Sequence, residues 1–412
     1  MSRRVVITGM GAISSLGMNA QSQLDAALNA QSGVRPLAFT SGAPVVTTHA
    51  ATIAQPVPDH LDRTMTSMFD RVSHLAWHAS LEALAQAKLG DLLEEQKNRS
   101  GVFWGTGFGG AGTIEQSYDD MFLKHKGRVR PFTVIGVMAN GPAALLSLKT
   151  GFNGPTLTYS TACASSAHAL GEAYRQIKHG YCDRALAGGS EALIHSGPVA
   201  AWEALRTLAT IDADHPEQSC KPFSAKRSGF ILGEGGAAFV LESRDSALAR
   251  GATILAELVG YGVSADAVHI TKPDPQGQAR AVVQAIADAG IDPEQIKYVN
   301  AHGTATQVGD VAETDTLKIA FGGHAKHLAI SSTKAIHGHT FGAAGALELL
   351  ITVMAQRAGI APPTAFLDEA DPACDLDYIP NQARTLDMAY AMSNSFAFGG
   401  ANVALITKKY SE

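Results

Sequence analysis

Cysteine is scarce in this chain. Cys163, Cys182, Cys220 and Cys374 are its only four in 412 residues, too few and too scattered for a disulfide framework, and no C-x-x-C pair offers a zinc site. A reducing compartment, the cytoplasm, is therefore expected, with no metal. Positive charge is in deficit too. Lys and Arg number 32 against 38 Asp and Glu, a formal net charge of -6, which argues against nucleic acid as the main ligand because phosphate binding is driven by clustered cations. Long apolar runs are also missing. Arg3 and Arg4 precede Val5-Val6-Ile7, but Thr8, Gly9 and Gly11 cut that run short of a signal-peptide core. The most apolar helical stretch, 343–358, is interrupted by Glu348, Gln356 and Arg357, so no membrane span is expected.

What is present is a composition of 46% hydrophobic and 17% charged residues with 41 glycines, that of a compact, turn-rich globular protein. The length suits two or three domains or one duplicated fold. Short β-branched runs alternate with helical patterns, the signature of an α/β sheet covered by helices. Candidate strands are 4–8, 101–104, 156–159, 184–187, 237–241, 254–263, 296–300, 328–331, 388–393 and 402–406. Helical periodicity is clearest at 70–87, 164–177, 279–289, 311–321 and 343–356. The two halves rhyme in element order, strand to glycine-rich turn and then strand to a reactive residue and a helix, with little identity. Halves of 1–250 and 251–412 are expected, and the Pro- and Asp-rich segment Asp266–Gly277 is taken as the joint.

Cys163 follows a β-rich run and opens the small-residue helix Ala164-Ser165-Ser166-Ala167-His168. A helix N-terminus favours the thiolate, so its pKa is expected to fall; a small core cysteine is the competing reading. Cys182, Cys220 and Cys374 are read as structural. His302 lies in the loop Asn300–Asp310 at a strand end, where open α/β sheets place ligands, although a histidine there serves equally well as a cap. His339 closes Lys334-Ala335-Ile336-His337-Gly338-His339 and precedes Gly342-Ala343-Ala344-Gly345, a stretch so small that backbone must approach something closely. One thiol and two imidazoles at strand-to-helix turns can converge on one cleft and match the logic of acyl transfer.

Four motifs in order, Ser160-Thr161-Ala162-Cys163-Ala164, Asn300-Ala301-His302-Gly303-Thr304, Ser331-Ser332-Thr333-Lys334 through His339, and Asn394-Ser395-Phe396-Ala397-Phe398-Gly399-Gly400, strongly resemble the elongating β-ketoacyl-acyl carrier protein synthases, types I and II. The resemblance runs from Arg4-Val5-Val6-Ile7-Thr8-Gly9 to Leu405-Ile406. It implies the thiolase-like fold, a duplicated five-layer α/β/α/β/α arrangement, as a homodimer or a heterodimer with a paralogue. It implies decarboxylative condensation of an acyl thioester with a malonyl thioester, both presented by an acyl carrier protein whose phosphopantetheine arm is the only prosthetic group, with no cofactor of the chain's own. Cys163 would take the acyl chain, and His302 and His339 would assist decarboxylation and stabilise the enolate oxygen. Backbone N–H groups of Cys163 and Phe398 would hold the acyl-transfer oxyanion. Lys334 and Glu348 would pair behind the histidines. Thr304 and Thr306 would bind the arm, Phe398 would gate the acyl pocket, and Phe396 and Thr271 are further substrate-binding candidates.

Several positions depart from the family's pattern. Ala397 replaces the usual Gly before the gating aromatic. Phe108 falls where type II enzymes carry an aliphatic pocket floor, so a shortened pocket or a preference for planar chains is expected. The helix from Arg63 lacks the usual basic run for carrier docking, although Arg206 matches a docking arginine. These features keep open a type II polyketide-like ketosynthase for a polyene or pigment beside fatty acid elongation. A chain-length partner subunit would have lost the nucleophile. A thiolase would need a second active-site cysteine, and the late motif reads Asn394-Ser395-Phe396 without one; a priming synthase would carry Asn where His339 stands.

Overall fold

The structure is a computed structural model that describes residues 3–37, 39, 45–58, 60–90 and 92–411. Its strands, in chain order, are β1 Val5–Ser14, β2 Val34–Pro36, β3 His49–Ala51, β4 Ser100–Gly105, β5 Thr156–Tyr159, β6 Arg184–Glu191, β7 Gly235–Ser243, β8 Ala256–Ala265, β9 Ile296–Asn300, β10 Ala329–Ser331, β11 Ile360–Ala361, β12 Arg384–Thr385, β13 Tyr390–Phe396 and β14 Ala401–Lys409. All ten expected strands are among them. The first is longer than expected because Gly9 and Gly11, which read as a strand end, lie inside it. A Cβ at Gly9 would stand 2.0 Å from the Ala83 carbonyl oxygen and one at Gly11 2.2 Å from that of Ala79, so these glycines let the helix Arg71–Ala87 lie directly on β1.

Ten strands pair in the order β10-β9-β13-β14-β8-β1-β7-β6-β4-β5. Taken outward from the centre, β1-β7-β6-β4-β5 and β8-β14-β13-β9-β10 have the same chain order and the same senses. The three outer strands are mutually parallel and the two inner ones antiparallel. The duplication inferred from turn order is thus a repeat of topology, and in the ten-stranded sheet of the described residues the short antiparallel pairing Val5–Ile7 with Ala256–Leu258 joins the halves. The first repeat closes with β7 at Ser243 and the second opens with β8 at Ala256. Asp266–Gly277 is therefore not the joint: it lies beyond β8 and leads into the helix Pro275–Ala289, and its Pro and Asp serve a loop at the site.

Strands β1, β4, β6 and β7 are buried along their whole length, as continuous apolar strands covered on both faces must be. The Arg71–Ala87 helix covers the outer face of one half, and the helix Pro275–Ala289 covers the other, with Gln307–Phe321 packed beside it and sharing its core cluster. Between the halves lie Ser165–Lys178 and Ala344–Ala358, which touch strands of both repeats and each other. This is the duplicated five-layer α/β/α/β/α arrangement. Small residues make the middle layer thin enough: a Cβ on Gly345 would sit 2.7 Å from the Ala167 Cβ. No helix of the described residues is long and apolar enough to cross a membrane.

Candidate active site

The middle layer places the reactive groups. After β5 the chain turns sharply through a single 3-10 turn, Ala162–Ala164, with Ala162 in the left-handed region at φ 49°. Such a backbone costs free energy in a residue with a Cβ. It is held by Ser165, whose hydroxyl donates to the Ala162 carbonyl at 2.7 Å and accepts the Thr161 N–H at 2.9 Å. Cys163 thus stands at the head of the helix Ser165–Lys178 and in the second repeat's cleft. His339 Nε2 lies 3.1 Å from its Sγ. The sulfur and one ring nitrogen each of His302 and His339 lie within 4.8 Å of one another, so the convergence expected of these three residues is realised.

The His339 ring and the His302 backbone are fixed from behind. The Phe341 N–H donates to His339 Nδ1 at 3.1 Å, so the neutral ring carries its hydrogen on Nε2, facing the sulfur. A ring held in that tautomer is a donor and not a metal ligand, although the Cys-His-His spacing alone would suit one. The Phe341 ring stacks on His339 at 4.4 Å. His302 meets His339 edge-on, with centroids 5.6 Å apart, and its loop hangs on Glu313, which accepts the N–H groups of His302 and Gly303 at 2.9 and 2.7 Å. Behind the pair, Lys334 and Glu348 form a fully buried ion pair.

Burial dominates the electrostatics. It pushes the Cys163 thiol up to about 12, against the nearby Lys334 ammonium and the backbone N–H groups of Phe398 and Cys163, which favour the thiolate. The lowered thiol expected from a helix N-terminus is therefore corrected: a buried sulfur loses more hydration than a short 3-10 turn returns. Burial, and then the Lys334 charge, hold His302 and His339 well below the usual histidine range, so both are neutral donors near pH 7. Burial also raises Glu348 to about 7, while Lys334 pulls it down.

A cavity of about 320 Å³ runs from Cys163, His302 and His339 past Phe396, Phe398, Thr304 and Thr306 to a rim that includes Arg206 and Thr271. The two threonine hydroxyls are 3.0 Å apart, and that of Thr306 also accepts the Gly309 N–H, capping the helix Gln307–Phe321. Phe398 stacks toward Trp202 at 6.1 Å. Phe108 does not line this cavity. It is 47% exposed, because its loop is drawn to Glu191, which accepts the Gly107 and Phe108 N–H groups, and the ring is left on the outer surface. As floor of the pocket within one chain, Phe108 is corrected.

Three features were not read from the sequence. Trp202, Phe230 and Phe341 form an aromatic wall beside His339. Glu313 is fully buried under the His302 loop, and Glu191 ties Gly107 to Gly342. An acid on the core face of an amphipathic helix was the available signal for Glu313; nothing local marks Glu191.

Comparison with known proteins agrees with this geometry. Residues 2–247 match the family described as "Beta-ketoacyl synthase, N-terminal domain" and residues 255–368 that described as "Beta-ketoacyl synthase, C-terminal domain". The chain is 40% identical over 412 residues, 99% of each chain, to the 3-oxoacyl-[acyl-carrier-protein] synthase 2 of Staphylococcus aureus (strain COL). A beta-ketoacyl synthase from Burkholderia phymatum superposes with a TM-score of 0.91 at 39% identity, covering 99% of this chain and 100% of that one. A ketosynthase in complex with its type II polyketide acyl-carrier protein, bound to the hexaketide, superposes with a TM-score of 0.92 at 28% identity over the whole of both chains.

Proposed function

This chain belongs to the β-ketoacyl synthase family, and on that premise we propose that it condenses an acyl thioester with malonyl-acyl carrier protein in fatty acid elongation. The observation that carries the reading is His339 Nε2–H aimed at Cys163 Sγ from 3.1 Å, beside a second neutral imidazole, all three groups lining the cavity. The carrier's arm enters past Arg206 and Thr271, with the Thr304 and Thr306 hydroxyls as its partners. Cys163 sulfur attacks the acyl carbonyl, the N–H groups of Cys163 and Phe398 hold the oxyanion, and the arm's sulfur leaves with the thiol proton. Malonyl thioester then loses carbon dioxide, and the electron pair left behind becomes an enolate whose oxygen accepts from His302 and His339. The enolate carbon attacks the acyl-enzyme carbonyl and expels Cys163 as the thiolate, which takes a proton from water to restore the thiol. Neutral donors in a dry pocket stabilise charge that exists only in the transition state. The Lys334–Glu348 pair holds a positive field behind both rings and positions more than it stabilises.

The chemistry needs no resident cofactor or metal, since the thioesters carry their own activation. Elongation is favoured over a polyketide pathway by the full-length 40% identity to a synthase 2. Four free, buried cysteines suit the cytoplasm. A homodimer is part of the same reading. Among the described residues the outer edge of β5 carries no strand partner, and Phe108, Tyr118, Phe122, Leu123, Val134 and Met138, between β4 and β5 in the chain, are exposed, a self-complementary opportunity that a lone chain would leave to water. Replacing Cys163 by Ser tests the function: product formation from acyl- and malonyl-carrier thioesters should be lost, and a Cys163→Ser enzyme condensing at the wild-type rate would refute it.

A further inference from the structure

Arg227 is the most deeply buried arginine near the cavity, with its side chain 1% exposed, yet it does not line the cavity. Its Nε donates to the Thr306 carbonyl at 3.0 Å and its Nη2 to the Gln307 carbonyl at 2.8 Å. Its Nη1 donates to the Ser224 carbonyl at 2.8 Å and to Asp371 at 2.6 Å, and Gln307 returns a side-chain bond to the Arg227 carbonyl. Asp310 stands 3.8 Å away and accepts the Phe223 N–H at 2.7 Å.

A cation at this place is opposed by two effects. It is out of water, and it sits against the N-terminus of the helix Gln307–Phe321, where the helix dipole is positive. Asp310 and Asp371 offset the charge, but a buried cluster of this kind is weak evidence for stability and better evidence for positioning. What it positions is plain from connectivity. The carbonyls of Thr306 and Gln307 belong to one wall of the cavity. Ser228, Gly229 and Phe230, which follow Arg227 directly, are a second segment of its lining. The planar guanidinium bonds the first segment directly and is carried by the chain that leads into the second, and the Gln307 amide returns a bond to the Arg227 carbonyl, so the two walls are tied at this point.

We propose that Arg227 is a positioning residue that sets the width of the tunnel at the Thr304–Thr306 hydroxyl pair by clamping its two walls, so that it governs binding of the carrier's arm and not the chemistry at Cys163. This rests on the cavity being the arm's tunnel. The test compares Arg227→Gln and Arg227→Lys with wild type on acyl-carrier protein and on the matching acyl-N-acetylcysteamine thioester, whose truncated arm keeps only the first amide of phosphopantetheine and lacks the rest of the arm and the carrier. KM for the carrier substrate should rise about tenfold or more, the scale of losses from misplaced binding groups, with Arg227→Lys intermediate. Acylation by the truncated thioester and alkylation of Cys163 by iodoacetamide should stay within about twofold. An unchanged KM in folded Arg227→Gln overturns the proposal, and so does an equal loss on both thioesters, which marks general damage. If Arg227→Gln does not fold, Asp371→Asn, which removes only one partner of the clamp, should shift the same KM in the same direction by less; no shift there overturns it as well. A wild-type enzyme acylated no better by the carrier substrate than by the truncated one would instead overturn the function on which the proposal rests.

Discussion

At Cys163 the burial that protects an acyl intermediate also disfavours the free thiolate, and His339, whose Nδ1 is occupied by the Phe341 N–H, offers no lone pair to take the proton. The thiol is therefore protonated in the resting protein. With its pKa raised to about 12, the thiolate fraction grows about tenfold per pH unit at any pH well below that value, so iodoacetamide alkylation of Cys163 should climb without a plateau between pH 7 and 9. A plateau near pH 7, measured by peptide mass spectrometry, would contradict the burial argument. Replacing His302 or His339 by Ala removes one oxyanion donor and should lower condensation by about 10² or more. Cys163→Gln should lose acyl transfer yet retain malonyl decarboxylation, because that step uses the imidazoles and not the sulfur; release of carbon dioxide from malonyl-carrier thioester reports it. The convergence of Cys163, His302 and His339 was legible at this scale because each follows a strand of the repeated pattern. Their ionisation was not: it depends on the burial of Cys163 and on Lys334, which is distant from it in sequence and adjacent in space.

The elements that hold these residues are packed through glycine. Gly345, on the helix Ala344–Ala358, faces Ala167 on the helix Ser165–Lys178, and a Cβ there would also approach the Ser395 hydroxyl to 2.9 Å and the Ala167 nitrogen to 3.0 Å. Gly345→Ala should therefore destabilise by about 1 to 3 kcal/mol through overpacking, read by urea denaturation. Because these two helices follow His339 and Cys163, the same change should slow acylation; wild-type stability and rate would show that the layers are not in rigid contact. Periodicity made these helices readable, and the small-residue run 342–345 correctly signalled a close approach. Gly9 and Gly11 misled at the same scale, since a glycine that ends a strand and one that admits a helix look alike in sequence. Asp266–Gly277 misled likewise: Asp266 accepts the Asp274 and Asn402 N–H groups, so its polar residues brace a cavity loop and do not divide two halves.

For the whole molecule, the repeated strand order was legible only as a rhyme of turns, because the register of β1 on β8 depends on residues some 250 positions apart. Phe108 shows the same limit: its ring is exposed in one chain, and only assembly decides what covers it. Light scattering should give twice the 43.0 kDa chain mass, and a paired Phe108→Asp and Phe122→Asp variant should return to one chain mass; a monomeric wild type would refute the assembly. The account as a whole turns on a covalent acyl group at one sulfur. Incubation with acyl-carrier protein alone, followed by intact-mass and peptide analysis, should show a single acyl adduct on Cys163 that disappears, with release of β-ketoacyl-carrier protein, when malonyl-carrier protein is added. An adduct elsewhere, or product formed while Cys163 stays unmodified, would contradict it.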